Sequence, residues 1–485
     1  MKRRLLACWL AAGSLIGAST QPNVVIILAD DLGYGDVGCF GATKCKTPDL
    51  DRMAAEGVRF TSFYVAQAVC SASRAALMTG CYSNRVGLAG ALNHTSHEGI
   101  NPDEWLLPEM CKACGYATAA FGKWHLGTRP SFHPMKNGFD EFFGIPYSND
   151  NSKYHPSLAS EMPPLPLYEG EKVIETDPDQ RKFTRRITEH AVSFIERNKS
   201  NPFFLYVPHV MPHVPIFAAE KFKGKSGAGL YADVVAELDD SVGEILSAIM
   251  HGGIDDRTLV IFFSDNGPFL SYGTHAGSPG PLREGKLTAF DGGVRVPCIM
   301  RWPGKVAAGR VCDEPVMAID LLPTVTELID GKTSEEKIDG RSIRPLVLGE
   351  RDAKSPHEAL YFYAGDELQA VRMGRWKMHF SHAYLTVTEK TRDDGKPAGY
   401  GKLKPLSITQ SGIEGIASRH GYGVKKIEES LFDLQNDPGE QNNVMQQHPE
   451  VAAKMKRLAD GMRAELGDGL TGTLGKEIRP AGEAN

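Results

Sequence analysis

The sequence predicts an α/β fold: a large, mostly parallel sheet covered on both faces by helices, followed by a smaller C-terminal α/β unit. Three observations predict it. Residues 23–29 form an unbroken apolar, β-branched run without alternation, the pattern of a central strand buried on both faces. Similar runs recur at residues 203–207 and 259–263, with amphipathic helical patterns between them. Beyond Glu350 the texture changes to short strands. Strands alternating with helices imply parallel pairing, and ligands of such sheets gather at the carboxyl ends of the strands.

Each element has its own warrant along the chain. Lys2, Arg3 and Arg4 precede an apolar run over residues 5–18, and small side chains follow at Gly17, Ala18 and Ser19. That is the layout of a secretory signal peptide, here residues 1–19. The run is too short to stay in a bilayer, and no later stretch reaches about 18 apolar residues. An exported protein, periplasmic or secreted, without a stable membrane span is expected. Residues 58–64 read as a strand, and a helix carrying Ala75, Ala76, Leu77 and Met78 closes at Gly80. Helical spacing recurs in residues 184–197 through Ile187, Ala191, Phe194 and Ile195. It recurs again in residues 231–250 through Val234, Leu238, Val242, Ile245 and Ile249.

Short strands are expected at residues 359–364, 369–373 and 376–380, with Gly374 and Arg375 as a hairpin turn. A long Gly/Lys/Pro-rich loop follows over residues 392–406. A final strand begins at Leu431, an amphipathic helix covers residues 448–466, and the tail from Gly467 wraps the surface or frays. The mature chain thus divides into a large unit over residues 20–355 and a subdomain over residues 356–485, in keeping with the size limit on single cores.

Hydrophobic content of 41% and charged content of 24% suit a globular protein. The leader holds three basic and no acidic residues, so its removal takes the net charge from −6 to −9. Such a surface repels nucleic acid and anionic lipid, which excludes both as expected partners. An anionic substrate would need a local positive pocket. Of the nine cysteines, Cys8 leaves with the leader and Cys70 carries chemistry argued below. The odd remainder argues against a complete disulfide framework. Cys39 and Cys45 flank a short loop and leave a bridge open. Cys111 and Cys114 sit in a helical stretch with no second Cys or His pair to complete a zinc site, and read as plain thiols.

Cys70-Ser71-Ala72-Ser73-Arg74 carries the strongest chemical signal. A thiol at a helix N-terminus, four residues before an arginine, sits in a positive field, which alone is compatible with a low-pKa nucleophile. Asp30 and Asp31 follow the first buried strand, where adjacent carboxylates repel each other unless a cation binds. Ser264-Asp265-Asn266-Gly267 follows another buried strand. Each alone is an ordinary turn. Together they converge on one edge of a parallel sheet, and Asp30, Asp31, Asp265 and Asn266 make an all-oxygen set for Ca²⁺, with Mg²⁺ second.

These motifs, together with Phe121-Gly122-Lys123-Trp124-His125-Leu126-Gly127, Pro212-His213-Val214-Pro215 and residues 282–297, resemble in order those of the type I sulfatases of the alkaline phosphatase superfamily. The texture is similar to arylsulfatase and N-acetylgalactosamine-6-sulfatase members. Ala72 stands where many members carry proline, a difference that bears on which maturation enzyme acts. The resemblance implies an alkaline phosphatase-like α/β/α sandwich and a sulfuric ester hydrolase releasing sulfate from a sulfated carbohydrate, with aryl sulfates as surrogates. It implies that Cys70 is a metal ligand and is oxidised to Cα-formylglycine (3-oxoalanine), whose hydrate attacks sulfur. A formylglycine-generating or anaerobic sulfatase-maturing enzyme would be the partner for that step.

By the same resemblance Lys123 contacts the sulfate, and His125 orients the hydrate and takes its proton. His213 or Lys286 protonates the leaving alcohol, and Arg74 completes the positive pocket. His209 is the weaker histidine candidate. Asn149, Asp150, His275 and Arg283, with the rest of the segment Tyr147-Ser148-Asn149-Asp150-Asn151, His155 and His379, are candidates for the substrate-facing rim. Two alternatives stand beside this reading. One is a phosphonate or phosphodiester hydrolase of the same superfamily. The other is a non-enzymatic binder of sulfated glycans in which Cys70 is never converted.

Overall fold

A computed structural model describes residues 21–403 and 412–483. The expected leader and part of the long loop over residues 392–406 lie outside the described residues. Strand Asn23–Ala29 runs through the middle of the main sheet, parallel to Phe203–Pro208 on one side and Thr258–Ser264 on the other. Every residue of these three strands is buried, which is why their sequences show no polar alternation. Val24, Ile26 and Leu28 pack into one core with the helices Cys70–Thr79 and Leu107–Ala113. Val25, Ile27 and Ala29 pack into the other with Phe183–Asn198 and Leu230–His251. The helix bounds expected from spacing differ from these by one residue at each end.

The sheet has 11 strands. Beyond Phe203–Pro208 it continues in parallel through Ala117–Lys123 and Glu141–Ile145, then ends in the antiparallel pair Pro166–Glu169 and Lys172–Thr176. On the other flank Arg295–Arg301 lies antiparallel between Thr258–Ser264 and Val58–Tyr64. No period-two pattern marks Arg295–Arg301, because it too is buried along nearly its whole length.

The second sheet is antiparallel, in the order Leu360–Ala364, Glu367–Met373, Trp376–His379, Ser430–Asp433, and helix Pro449–Leu466 lies across it. Gly374 takes the left-handed conformation (φ 56°) that the tight hairpin requires. A separate hairpin, His382–Thr386 with Gly423–Ile427, and helix Ile413–His420 were not legible from the sequence. Leu385, Ala417 and Tyr422 from this group join the core of the main sheet. The strand at Ser430–Asp433 is not the last: Gly482–Glu483 pairs with Glu98–Gly99, so the tail wraps back onto the large unit. All eight described cysteines are free thiols, Cys39 and Cys45 included. Among the described residues no helix is long and apolar enough to cross a membrane.

The tail is fastened by charge. Arg85 (1% exposed) reaches Asp339 at 2.6 Å, Glu465 at 2.9 Å and Glu477 at 3.2 Å. Arg479 grips Glu104 with two nitrogens at 2.6 and 2.8 Å. Arg85→Met leaves the buried Asp339 carboxylate without its cation, and is expected to lower stability by about 3 kcal/mol. Urea unfolding checks this; a loss below about 1 kcal/mol, in the range of exposed pairs, would show that the strap does not depend on Arg85.

Candidate active site

Four neighbouring parallel strands end at one edge, and each delivers a polar turn there. Asn23–Ala29 leads into Asp30 and Asp31, and Thr258–Ser264 into Asp265 and Asn266. Lys123 is the last residue of Ala117–Lys123, and Phe203–Pro208 leads into His209 and His213. Cys70 is the first residue of its helix. Lys286 comes from the loop between Thr258–Ser264 and Arg295–Arg301. Asp31 (φ 66°), His125 (φ 62°), Glu284 (φ 57°) and Leu287 (φ 70°) all take left-handed conformations, two of them flanking Lys286. Each costs on the order of 1 kcal/mol or more, and such strain concentrates at functional sites. His213 sits in a bend between Pro212 and Pro215, and the bonds preceding both prolines are cis.

Arg74 is fully buried and acts inside the site's frame. Nε and Nη2 donate to Asp265 Oδ2 at 3.1 and 2.8 Å, Nη2 also to Asp30 Oδ2 at 3.1 Å, and Nη1 to the Lys123 carbonyl at 2.6 Å. Its guanidinium therefore fastens the carboxylates where a substrate-facing cation had been expected. Lys123 Nζ donates to Asp30 Oδ2 at 2.6 Å and to Ser148 Oγ at 3.2 Å. Lys286 Nζ donates to Asp31 Oδ1 at 2.7 Å, as does Asn266 Nδ2 at 2.7 Å. His213 Nε2 lies 3.7 Å from Asp31 Oδ2 and 3.3 Å from Ser148 Oγ.

Asp30 Oδ1, Asp31 Oδ2 and Asn266 Oδ1 remain buried with no hydrogen-bond partner. Unpaired buried oxygens are costly, and a hard cation relieves all three at once. The donor set fits such a cation: Asp30 and Asp31 cluster with His213, one donor atom of each lying within 4.8 Å of the others. Three buried carboxylates (Asp30, Asp31, Asp265) face three buried cations (Arg74, Lys123, Lys286), so a divalent ion would turn a balanced site strongly positive. That supplies the local pocket which a chain of net charge −6 lacks overall.

The protonation states follow from burial and these neighbours. Burial opposes ionisation of Asp30, but Lys123, His213 and Arg74 outweigh it and hold the carboxyl far below its ordinary range. Burial, with the Asp30 charge beside it, pushes Asp265 up to about 7. Burial works against the charge on Lys286, yet Asp31 more than compensates and keeps it protonated. Burial first, then Lys123 and Arg74, hold His125 neutral. Its Nε2 donates to the Leu92 carbonyl at 2.7 Å, which leaves Nδ1 as a buried, unpartnered acceptor. Burial raises the Cys70 thiol despite Lys123 and Lys286, so the low-pKa thiolate suggested by its helix position is not what the fold provides.

The rim candidates separate. Asp150 lies among His213, His155 and Lys123; burial opposes its charge, but these neighbours and a hydrogen bond from Ser148 lower its carboxyl. Asn149 is fully buried, and its amide donates to Gln180 at 3.0 Å and to the Pro215 carbonyl at 3.1 Å, bracing the His213 turn. His275 instead packs against Gly395, near the carboxylates of Asp394 and Asp393. Arg283 donates to the Glu440 carbonyl at 2.8 Å and to Tyr384 at 3.1 Å with its guanidinium over Phe290, so it ties the two units together. His379 is buried against Glu440 at 2.8 Å, Tyr147 stands beside His94, and His209 is bound to Ser241 at 3.1 Å. Sequence reasoning placed Ser148 within the rim segment 147–151 and missed that it touches both Lys123 and His213. It also missed a wall from the C-terminal unit: Tyr422 stacks on Phe269, and the Phe269 ring lies 4.7 Å from Lys286 Nζ. No motif marks that wall, because it is assembled from residues about 150 positions apart.

The sulfatase family model matches residues 22–331, and the model for the C-terminal region of aryl-sulfatase matches residues 355–471. The chain is 38% identical to arylsulfatase A of Bos taurus over 465 residues, covering 91% of this chain and 87% of that one. It is 40% identical to N-acetylgalactosamine-6-sulfatase of Canis lupus familiaris over 399 residues, covering 78% and 75%. Its fold matches the crystal structure of PsFucS1 sulfatase from Pseudoalteromonas sp. with a TM-score of 0.77 at 26% identity, over 92% and 90% of the two chains. The chain belongs to the sulfatase family: it is a sulfuric ester hydrolase built on an alkaline phosphatase-like α/β/α scaffold.

Proposed function

We propose that this protein is exported and releases inorganic sulfate from a sulfated carbohydrate, with Cys70 converted to Cα-formylglycine and one Ca²⁺ held by Asp30, Asp31, Asp265 and Asn266. The three buried, unpartnered oxygens at the sheet edge, set among buried lysines near Cys70, carry the reading. The relatives named for an N-acetylgalactosamine 6-sulfate support a sugar as the natural alcohol. Hydrated formylglycine supplies an oxygen nucleophile that can later expel sulfate, which an ordinary serine or cysteine cannot. Held by these residues, the cation, Ca²⁺ before Mg²⁺ given the all-oxygen donors, would supply charge stabilisation to the reacting anion.

The chain's own residues do the rest. Lys123, Lys286 and His213 hold the anionic sulfate oxygens in a site that excludes water, where fixed charges act most strongly. His125 Nδ1, neutral and aligned by Leu92, accepts a proton from the nucleophile at position 70. Lys286, kept protonated by Asp31, and His213 beside it serve the bridging oxygen of the departing alcohol. Arg74 keeps Asp30 and Asp265 in place and touches no reacting atom.

Cys70→Ala is expected to cut sulfate release by on the order of 10⁴-fold or more while leaving the melting temperature near that of the parent. In the active protein, mass spectrometry of the peptide holding residue 70 should find an aldehyde, lighter than the thiol form. A fully active protein with an intact Cys70 thiol would overturn the nucleophile assignment and revive the glycan-binder or another hydrolase reading. Parallel rates on sulfate monoesters and phosphodiesters separate the phosphodiesterase alternative.

Elemental analysis of the purified protein should find one calcium per chain, removed with activity by chelation and restored by calcium. Stoichiometric zinc without an alkaline-earth ion would contradict the donor assignment. His213→Ala should lower kcat/KM on a sugar sulfate by about 10²-fold or more, and on nitrophenyl sulfate by much less, since a good leaving group hardly needs a proton. Equal losses on both substrates would confine His213 to sulfate binding.

A further inference from the structure

We propose that Asp150 and His155 form a hydroxyl-reading subsite beside the sulfate site, selecting a sugar with a free hydroxyl next to its sulfate ester and rejecting one with a second sulfate there. The inference rests on the sulfuric ester reading above and adds the feature of the sugar that is recognised.

Asp150 follows two residues after Ser148, whose hydroxyl meets both Lys123 and His213, so its backbone is anchored at the reaction centre. Its Oδ1 accepts from Asn151 Nδ2 at 3.0 Å. Its Oδ2 lies 3.9 Å from His155 Nε2, beyond hydrogen-bonding distance, and the side chain keeps 14% exposure. His155 Nδ1 accepts from the backbone N–H of Ser157 (3.2 Å) and Leu158 (3.0 Å), which places the ring hydrogen on Nε2, facing Asp150. The two side chains thus present one acceptor and one donor across a gap that a hydroxyl oxygen can bridge, donating to Asp150 while accepting from His155. A sulfate oxygen can only accept, and would meet the carboxylate as a like charge.

The site's other charged groups sharpen the point. Lys123, Lys286 and His213 gather negative charge, and an ionised carboxylate next to them weakens that attraction. Burial opposes the charge on Asp150, and the Lys123 ammonium and a hydrogen bond from Ser148 are among the groups that lower its carboxyl nonetheless, with the Arg419 guanidinium also nearby. An ionised carboxylate at this place offers an acceptor to a substrate hydroxyl and none to a second sulfate. The opposite wall is supplied by the C-terminal unit: His420 meets Tyr272 at 3.2 Å, its ring 5.0 Å from Phe269, and Ser157 binds the Arg419 carbonyl at 3.4 Å, pinning the loop that holds His155.

The test uses the converted, calcium-loaded full chain. The best substrate among galactose and N-acetylgalactosamine 3-, 4- and 6-sulfates is compared with its neighbouring-deoxy analogue, its neighbouring-disulfated analogue and nitrophenyl sulfate. The parent enzyme should prefer the monosulfated sugar over the deoxy and disulfated analogues by roughly tenfold or more. Asp150→Ala should collapse that preference and lower the ratio of sugar sulfate to nitrophenyl sulfate kcat/KM. Asp150→Asn, which keeps an acceptor without the charge, should recover much of the preference over the deoxy sugar while still accepting the disulfated one. His155→Ala gives an independent variant should Asp150→Ala fail to fold. Unchanged ratios in Asp150→Ala or in His155→Ala, or a parent enzyme indifferent to the neighbouring hydroxyl, would overturn the subsite alone. A converted enzyme that hydrolyses no sulfate ester, nitrophenyl sulfate included, would overturn the functional reading beneath it.

Discussion

The buried guanidinium of Arg74 is the interaction on which the rest of the site depends. It is bound simultaneously to Asp30, to Asp265 and to the Lys123 carbonyl, and so ties together the ends of three different strands. A lysine could not reproduce this: its three donors share one nitrogen, whereas Arg74 sends Nε, Nη1 and Nη2 out in a planar fork. Because both carboxylates are out of water, the alternative to this pairing is an uncompensated buried charge, which is far more costly than a broken surface pair. The position of Arg74 four residues into its helix is what makes the geometry possible. The first turn presents Cys70 at the helix N-terminus, and the next turn delivers Arg74 beneath it.

Electrostatic balance then decides what the site can bind. Asp30 and Asp31 each already have a cation beside them, Lys123 and Lys286, so the fold does not depend on an ion to hold these like charges together. The unpartnered oxygens nevertheless leave room for one. Binding of an ion makes the pocket positive, in a protein whose surface is on balance negative. Attraction is confined to the place where the anion reacts, and the remaining surface disfavours nonspecific polyanions.

Much of this was legible in the sequence, and the reasons are physical. Buried parallel strands leave continuous apolar runs, so Asn23–Ala29, Phe203–Pro208 and Thr258–Ser264 could be read almost to the residue. Polar residues immediately after such runs must lie at the sheet edge, which located Asp30, Asp31, Asp265 and Asn266. The direction in which a side chain points is not written in the chain. Arg74 read as part of the positive pocket yet its guanidinium is taken up by the carboxylates, and Arg283 and His379 read as rim residues yet both pack on Phe290 at the junction between the units. The wall of Tyr422 and His420 escaped notice because it comes from a hairpin and short helix with no strong periodicity. Their place is set by packing on Phe269, not by local propensity.

The burial of Cys70 places a constraint on time. Its side chain is 3% exposed, closed in by residues that follow it by as many as 217 positions, Leu287 among them. The partners of strand Asn23–Ala29 arrive only with residues 203–208 and 258–264. The helix that carries Cys70 is therefore complete long before the sheet that encloses it, and pairings of such separation form late. Any enzyme that acts on this side chain has its opening in that interval. Once the central strand has both neighbours, the door is shut.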